Sequence, residues 1–249
     1  VAFDEHGPTF RHGDFEEYKM GRSPMPEELI PQFPLIKELL GAMGVGVISL
    51  PGYEADDLLG TIARQANEKH IRAMLITGDR DALQLVGDDT SMLFTRRGIS
   101  DTMLLTPPGV KEYFGITPEQ VTDFKGLMGD SSDNIPGIPG VGEKTALKLL
   151  NEYGSLDGVL EHADGIKGKL GERVRENAEL ARLSRKLATI DRHVPVQAAF
   201  GEWRLTRLKD GLPMVRKYQL NIIAGELTRM TGALAADAES AEDDAPAVE

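Results

Sequence analysis

Residues 45 to 60 read VGVISLPGYEADDLLG. Val45 to Leu50 is an apolar, β-branched run that fits a buried strand, and Leu58 to Lys69 carries the apolar spacing of a helix. Between them, Glu54, Asp56 and Asp57 put three carboxylates into four positions at the helix start. One or two acids are ordinary there, because the unpaired N–H groups and the positive end of the helix dipole favour negative charge. Three packed together repel one another and call for a further source of positive charge.

The same order of apolar run, acid and helix recurs along the chain. Val1 to Phe3 ends in Asp4, and Ala73 to Thr77 delivers the chain to Asp79 and Asp81 in GDRD. Met92 to Phe94 and Met103 to Leu105 add short strands, and Leu35 to Met43 adds a helix. This alternation predicts an α/β fold with a mostly parallel central sheet flanked by helices on both faces. Ligands in such sheets sit at the carboxyl ends of the strands, so three strand ends aim acids at one edge.

After Thr106 the pattern turns helical. Pro107 to Phe114 and Pro118 to Met128 each open on a proline near the first turn, and further helices run to Leu187. The expected organisation is an α/β core over 1–106, with an excursion at about 9–30 broken by Pro24 and Pro26. A helical region over 107–195 follows, then a helical segment over 196–232 that returns to the sheet.

The bulk numbers narrow the class. The chain has 249 residues, 41% of them hydrophobic, and no cysteine, which removes disulfide and thiolate chemistry and fits a reducing cytoplasm. No run approaches the roughly 18–20 apolar residues of a membrane span. The formal charge of −12 argues at first against a nucleic-acid partner, yet residues 233–249 hold six acids and no Lys or Arg, half of that net charge. This acidic segment is poor in large apolar residues and is expected to be a disordered linker or tail. The chain begins at Val1, within an apolar run, and reads as a fragment of a longer polypeptide.

Three constellations carry chemistry. The first is the set of acids: Asp4, Glu54, Asp56, Asp57, Asp79, Asp81 and, in GDSSDN, Asp130 and Asp133 at the spacing of one helical turn. Any one of these motifs alone reads equally well as a cap or a turn. Together they gather unbalanced charge at one edge, and oxygen-only donors without His or Cys select hard cations, Mg²⁺ or Mn²⁺. Paired metals are suited to phosphodiester hydrolysis. The second constellation is GIPGVGEKTALKLL, where Gly137, Gly140, Val141 and Gly142 turn the chain into a helix start. There backbone N–H groups, with Lys144, bind a phosphate regardless of sequence; the competing reading is a plain turn. The third is Arg11, Tyr18, Lys19 and Arg22, cations mixed with an aromatic as single-stranded nucleic acid requires; alone it reads as a solvated loop.

VAFD, TFRHGDFEEYKMGRSPMPEEL, GYEADD, ITGDRD, LMGDSSDNIPGIPGVGEKTALKLL and LATI, in this order, resemble the 5'-nuclease domain of bacterial DNA polymerase I, of the flap endonuclease family with its PIN-like fold. The resemblance covers Val1 to about Pro195, and more loosely to about residue 230. It implies a structure-specific 5'-3' exonuclease and flap endonuclease that removes 5' flaps, nicked ends and RNA primers in replication and repair, with two divalent metals. It implies that Asp4, Glu54, Asp56 and Asp57 serve the first metal cluster and Asp79, Asp81, Asp130 and Asp133 the second. Tyr18, Lys19 and Arg22 match the base of a helical arch that clamps the scissile phosphate. Gly137 to Thr145, Thr145 included, matches a helix-hairpin-helix that grips duplex DNA, with a monovalent cation such as K⁺ on its carbonyls. A polymerase portion beyond the acidic linker and a nucleoid-associated, cytoplasmic location follow from the same resemblance. In the family, a strand preceding the residue matched by Val1 carries another metal-binding Asp and a basic residue. The resemblance therefore leaves a second reading, a catalytically impaired fragment that binds flaps or nicks without cutting. A metal-dependent phosphatase would explain the acids but not the hairpin.

Overall fold

The computed structural model describes the chain through Asp243 apart from Ile99 and Arg204, with Leu205 and residues 233–243 described by their backbone alone. In chain order its elements are α1 (Phe10–Asp14), α2 (Gln32–Ala42), α3 (Ala55–Glu68), β1 (Ala73–Thr77), β2 (Thr90–Arg97), β3 (Asp101–Leu105), α4 (Pro107–Phe114), α5 (Val121–Met128), α6 (Glu143–Tyr153), α7 (Leu156–Glu161), α8 (Gly168–Glu176), α9 (Ala178–Ala188), α10 (Leu212–Lys217) and α11 (Asn221–Asp243). A 3₁₀ turn over Arg80–Leu85 follows β1. No helix among the described residues is long and apolar enough to cross a membrane.

The fold is α/β with a small sheet. Its strand order is β1-β2-β3, with β1 parallel to β2 from Ala73↔Thr90 to Thr77↔Phe94, and β2 antiparallel to β3. The expected mostly parallel sheet is thus three strands with one pairing of each kind. The predicted strands at 1–3 and 45–50 form no ladder among the described residues. Ile48 N–H donates to Val1 O at 3.0 Å and the Val1 amino group donates to Gly46 O at 2.6 Å. An apolar, β-branched run becomes a strand only beside a partner that takes its backbone groups, and Gly46 and Pro51 weaken this one further.

Two compact units divide the chain. The larger comprises Ala2–Ser23 and Ser49–Ala198. One continuous core runs through it: Leu75, Met92, Phe94 and Leu105 of the sheet pack in the same cluster as Leu127, Leu150, Leu156 and Val174 of the helices. The boundary read at 106/107 therefore separates two patterns of secondary structure and not two cores. α3 contributes Leu58, Ala63 and Ala66 on its buried face, and α4 stops at Gly115, whose φ of +76° provides the left-handed cap that favours glycine.

The smaller unit comprises Val1, Pro24–Ile48 and Ala199–Glu249. Its core is Leu208, Val215 and Leu227, with Leu39, Met43 and Val45 packed against them. The C-terminal helices thus bury their apolar faces against α2, where the sequence reading sent them to the sheet. The backbone of α11 is helical through Asp243, against the expected disordered tail from Ala233. The segment is rich in alanine, the residue with the highest helix propensity. Residues 244–249 of that tail lie outside the described residues.

Candidate active site

The three acids at the start of α3 have three different jobs. Asp57, fully buried, accepts from the Glu54 backbone N–H at 3.0 Å and closes the first turn. Both its oxygens also accept from Arg11, at 2.7 and 2.8 Å, and Oδ1 accepts from the Asp191 N–H at 2.8 Å. Arg11 is 3% exposed and directs its remaining donors to Leu187 O and Thr189 O. Burial alone would weaken the guanidinium's hold on its proton, but Asp57 and then Glu54 hold it firmly charged. Asp57 and Arg11 therefore satisfy each other inside the protein. A carboxylate whose two oxygens accept four hydrogen bonds from three residues is not free for the metal expected of it, and a buried guanidinium does not reach the DNA expected of it.

Glu54 and Asp56 face the other way. Glu54 Oε2 meets the Lys19 ammonium at 2.7 Å, while Oε1 is buried without a hydrogen-bond partner. Asp56 is pushed up to about 7, first by burial and then by the charges of Asp79, Asp81, Asp4 and Glu54. Asp4, on the segment leading to α1, accepts from the Ala55 N–H at 2.7 Å and so belongs both to the helix cap and to this group. Asp79 caps the 3₁₀ turn by accepting from the Asp81 N–H at 2.9 Å.

A second group lies at the ends of α5 and the loop after it. The Lys125 ammonium bridges Asp81 and Asp130, with Asp130 Oδ2 at 2.5 Å. Burial lifts Asp81 to about 6, with Lys125 opposing and Asp79 and Asp130 adding to the rise. For Asp130 burial is outweighed by Lys125 and by Ser132, whose N–H and hydroxyl donate to Oδ1 at 2.8 and 2.6 Å, and its carboxyl lies below the ordinary range. Asp133 takes the Arg22 guanidinium, and its Oδ2 lies 3.2 Å from the Tyr18 hydroxyl, which is equally close to Glu54 Oε2. Tyr18 is 3% exposed, so its ring is closed to base stacking; burial and the two carboxylates raise its pKa and keep it a proton donor. Lys19 adopts a φ of +57°, rare for a residue with a side chain, held by its N–H donating to Asp133 O at 2.8 Å.

The acids Asp4, Glu54, Asp56, Asp79, Asp81, Asp130 and Asp133 thus surround one region, with Lys19, Arg22 and Lys125 between them. Among the described residues no three of these groups converge as a preformed metal site. The donor set nonetheless fits a hard divalent cation. It is all oxygen, it leaves Glu54 Oε1 buried and unpaired among the described residues, and it raises Asp56 by burial and then by a repulsion that a cation would relieve.

The hairpin at 137–145 turns where expected, though not with the donors expected. Gly137 has φ +62° and sits so close to Gly129 that a Cβ would lie 2.2 Å from its amide nitrogen; its own N–H donates to Ser184 Oγ. Val141 is buried and its N–H donates to Ile138 O at 3.0 Å, so it is not open to a phosphate. Gly140, Gly142 and Lys144 are exposed, Thr145 is half-buried, and Gly142 caps α6.

Residues 1–115 match the 5'-3' exonuclease N-terminal resolvase-like domain, and residues 116–210 match the 5'-3' exonuclease C-terminal SAM fold. The chain belongs to the 5'-3' exonuclease family. DNA polymerase I of Mycobacterium tuberculosis is 48% identical over 196 residues, which are 79% of this chain and 22% of that protein. The chain spans less than a quarter of the length of the curated relatives it matches. Among solved structures, a phage T5 5'-exonuclease with zinc bound superposes with a TM-score of 0.66 at 21% identity, covering 93% of this chain and 83% of that one. The catalytic core of Rad2 in complex with DNA substrate gives 0.52 at 14% identity, covering 87% and 73%. These two likenesses establish the flap endonuclease-like fold.

Within this exonuclease-family chain two cations were missed by sequence reasoning. Lys125 is an ordinary helix residue in VTDFKGLM and only the packing of α5 beside the turn after β1 brings it to Asp81. Arg173 of α8 stands directly over Gly140, where a Cβ would lie 2.3 Å from its Nη1. Neither contact carries a local signal, because Asp81 and Gly140 are each more than thirty residues away in sequence from the cation they meet.

Proposed function

We propose that this chain is a structure-specific 5' nuclease that hydrolyses phosphodiester bonds at 5' flaps, nicks and RNA primer ends during DNA replication and repair. The observation that carries the reading is the gathering of seven carboxylates from four separate segments around one region, with Glu54 Oε1 left unpaired and Asp56 raised toward neutrality. A DNA-binding surface without chemistry gains nothing from such a field, since it repels phosphates.

Asp4, Glu54 and Asp56 on one side and Asp79, Asp81, Asp130 and Asp133 on the other would hold two divalent cations, Mg²⁺ or Mn²⁺. Such ions supply Lewis acidity that lowers the pKa of water and neutralises charge on a phosphodiester. The rest of the work falls to the chain's own residues. Lys19 and Arg22 neutralise Glu54 and Asp133 here and are placed to take phosphate oxygens when substrate competes for them. Tyr18 holds the Glu54 and Asp133 carboxylates in register through its hydroxyl. Asp57 and Arg11 fix the start of α3, and with it Glu54 and Asp56, against the chain after α9. The exposed turn at Gly140 and Gly142, with Lys144, Thr145 and Arg173, would grip the duplex backbone, with K⁺ on its carbonyls. In a longer parent chain a polymerase portion is the expected partner, and the bacterial cytoplasm the expected location.

One observation favours a binding-only reading: ammonium and guanidinium groups stand among the acids, and no three acids are preformed as a ligand set among the described residues. Asp79→Asn with Asp81→Asn separates the two. The nuclease reading expects cleavage of a 5'-flap substrate to be lost while flap binding is largely kept. Divalent-dependent cutting by the double variant would remove the second group of acids from the account.

A further inference from the structure

GDRD places Arg80 between Asp79 and Asp81, yet Arg80 pairs with neither of them among the described residues. Its guanidinium lies over the Phe114 ring, 5.5 Å from the centroid, and the side chain is exposed. Phe114 is fixed from behind, edge-on to Phe94 of β2 at 5.9 Å and to Tyr113 at 4.9 Å. Tyr113 itself is 51% exposed. All three residues line one cleft of about 870 Å³ that Asp79, Asp81 and Asp130 also line. Resting on the nuclease reading, we propose that this wall of Arg80, Tyr113 and Phe114 is a binding site for one or two unpaired nucleotides next to the bond that is cut, Arg80 on a phosphate and Tyr113 under a base.

Three features point to that ligand. The cleft has the volume of a small-ligand site, and it is continuous with the acids that would carry the chemistry. Arg80 is left without a carboxylate although two are adjacent in sequence, and a guanidinium on an aromatic face keeps its in-plane donors free for an anion. An exposed tyrosine face is useful only to an unstacked base, because a duplex offers its bases to no side-chain ring, so single-stranded nucleotides are favoured over duplex. The acids of the same cleft would repel a phosphate, but Lys125 already neutralises Asp81 and Asp130 in part.

The test is equilibrium binding of two fluorescent DNAs in Ca²⁺: a nicked duplex without a flap, and the same duplex with a five-nucleotide 5' flap. Arg80→Met keeps the hydrocarbon on Phe114 and should weaken flap binding about 5-fold while lowering the salt slope by about one counterion. Tyr113→Ala should weaken flap binding by about 5- to 150-fold, the range of a lost base stack, and Tyr113→Phe should restore it. Nick binding should be unchanged by all three. Equal losses on both DNAs, or none on either, would overturn the cleft proposal while leaving the nuclease reading in place. Failure of the unaltered chain to bind either DNA would instead overturn the nuclease reading, and the proposal with it.

Discussion

Asp56→Asn should make the metal-free protein more stable, and the size of the gain can be worked from its surroundings. Asp56 is pushed from 3.8 to about 7 by burial and by Asp79, Asp81, Asp4 and Glu54. At about 1.36 kcal/mol per pH unit, holding it ionised costs the folded state about 4 kcal/mol above pH 7. The sign follows from linkage: the folded protein binds the proton more tightly than the unfolded chain, so stability falls as pH rises from about 4 through about 7 and then levels. Asparagine keeps the shape and removes the charge. Allowing for relaxation of neighbouring acids, we expect a gain of about 2–4 kcal/mol at pH 8, or about 5–12 °C in Tm for a chain of this size, shrinking to nothing near pH 4. Thermal denaturation with EDTA at pH 4.5, 6 and 8 measures it. Added Mn²⁺ should then stabilise the parent chain more than the variant, because relieved repulsion is part of what the ion gives. An unchanged Tm at pH 8 would refute the reasoning, and so would a gain that persists undiminished at pH 4.5, which would mark a packing effect.

Other outcomes follow from the same geometry. Arg11→Ala strands the fully buried Asp57 carboxylate and should cost about 3–5 kcal/mol in denaturant unfolding, with Asp57→Asn in the same chain recovering part of the loss. Lys125→Met removes the ammonium from between Asp81 and Asp130 and should tighten Mn²⁺ binding severalfold in a calorimetric titration, whereas weaker or equal binding would show that the lysine does not compete there. Gly140→Val has to displace Arg173 and adopt a φ of +75°, and should weaken binding of blunt duplex about 10-fold at moderate salt while lowering stability by only about 1–3 kcal/mol of strain.

Much of this was legible in the residues. β1 and α4 lie where apolar spacing and proline signals put them, because those signals are local: a β-branched run bounded by glycine, and proline at a helix start. Asp79, Asp81, Asp130 and Asp133 follow β1 and α5, whose ends were predictable, whereas Asp4, Glu54 and Asp56 follow runs read as strands that form none among the described residues. What was not legible depends on partners distant in sequence. The run at 45–50 has strand composition but no ladder, and the C-terminal helices chose α2 over the sheet. Arg11 looked like a DNA contact among aromatics, and only the approach of α1 to Asp57 and to the chain after α9 makes it a buried counter-ion. Arg80, Lys125 and Arg173 act through neighbours 34, 44 and 33 residues away, beyond any spacing rule.

The most direct test of the account is cleavage of a 5'-labelled flap DNA by this 249-residue chain, titrated with Mg²⁺ or Mn²⁺ and run beside EDTA. The account predicts incision near the flap junction that appears with the divalent ion, vanishes with EDTA and is lost in Asp79→Asn with Asp81→Asn. Tight flap binding with no incision at any divalent concentration, or incision that continues in EDTA, would contradict it.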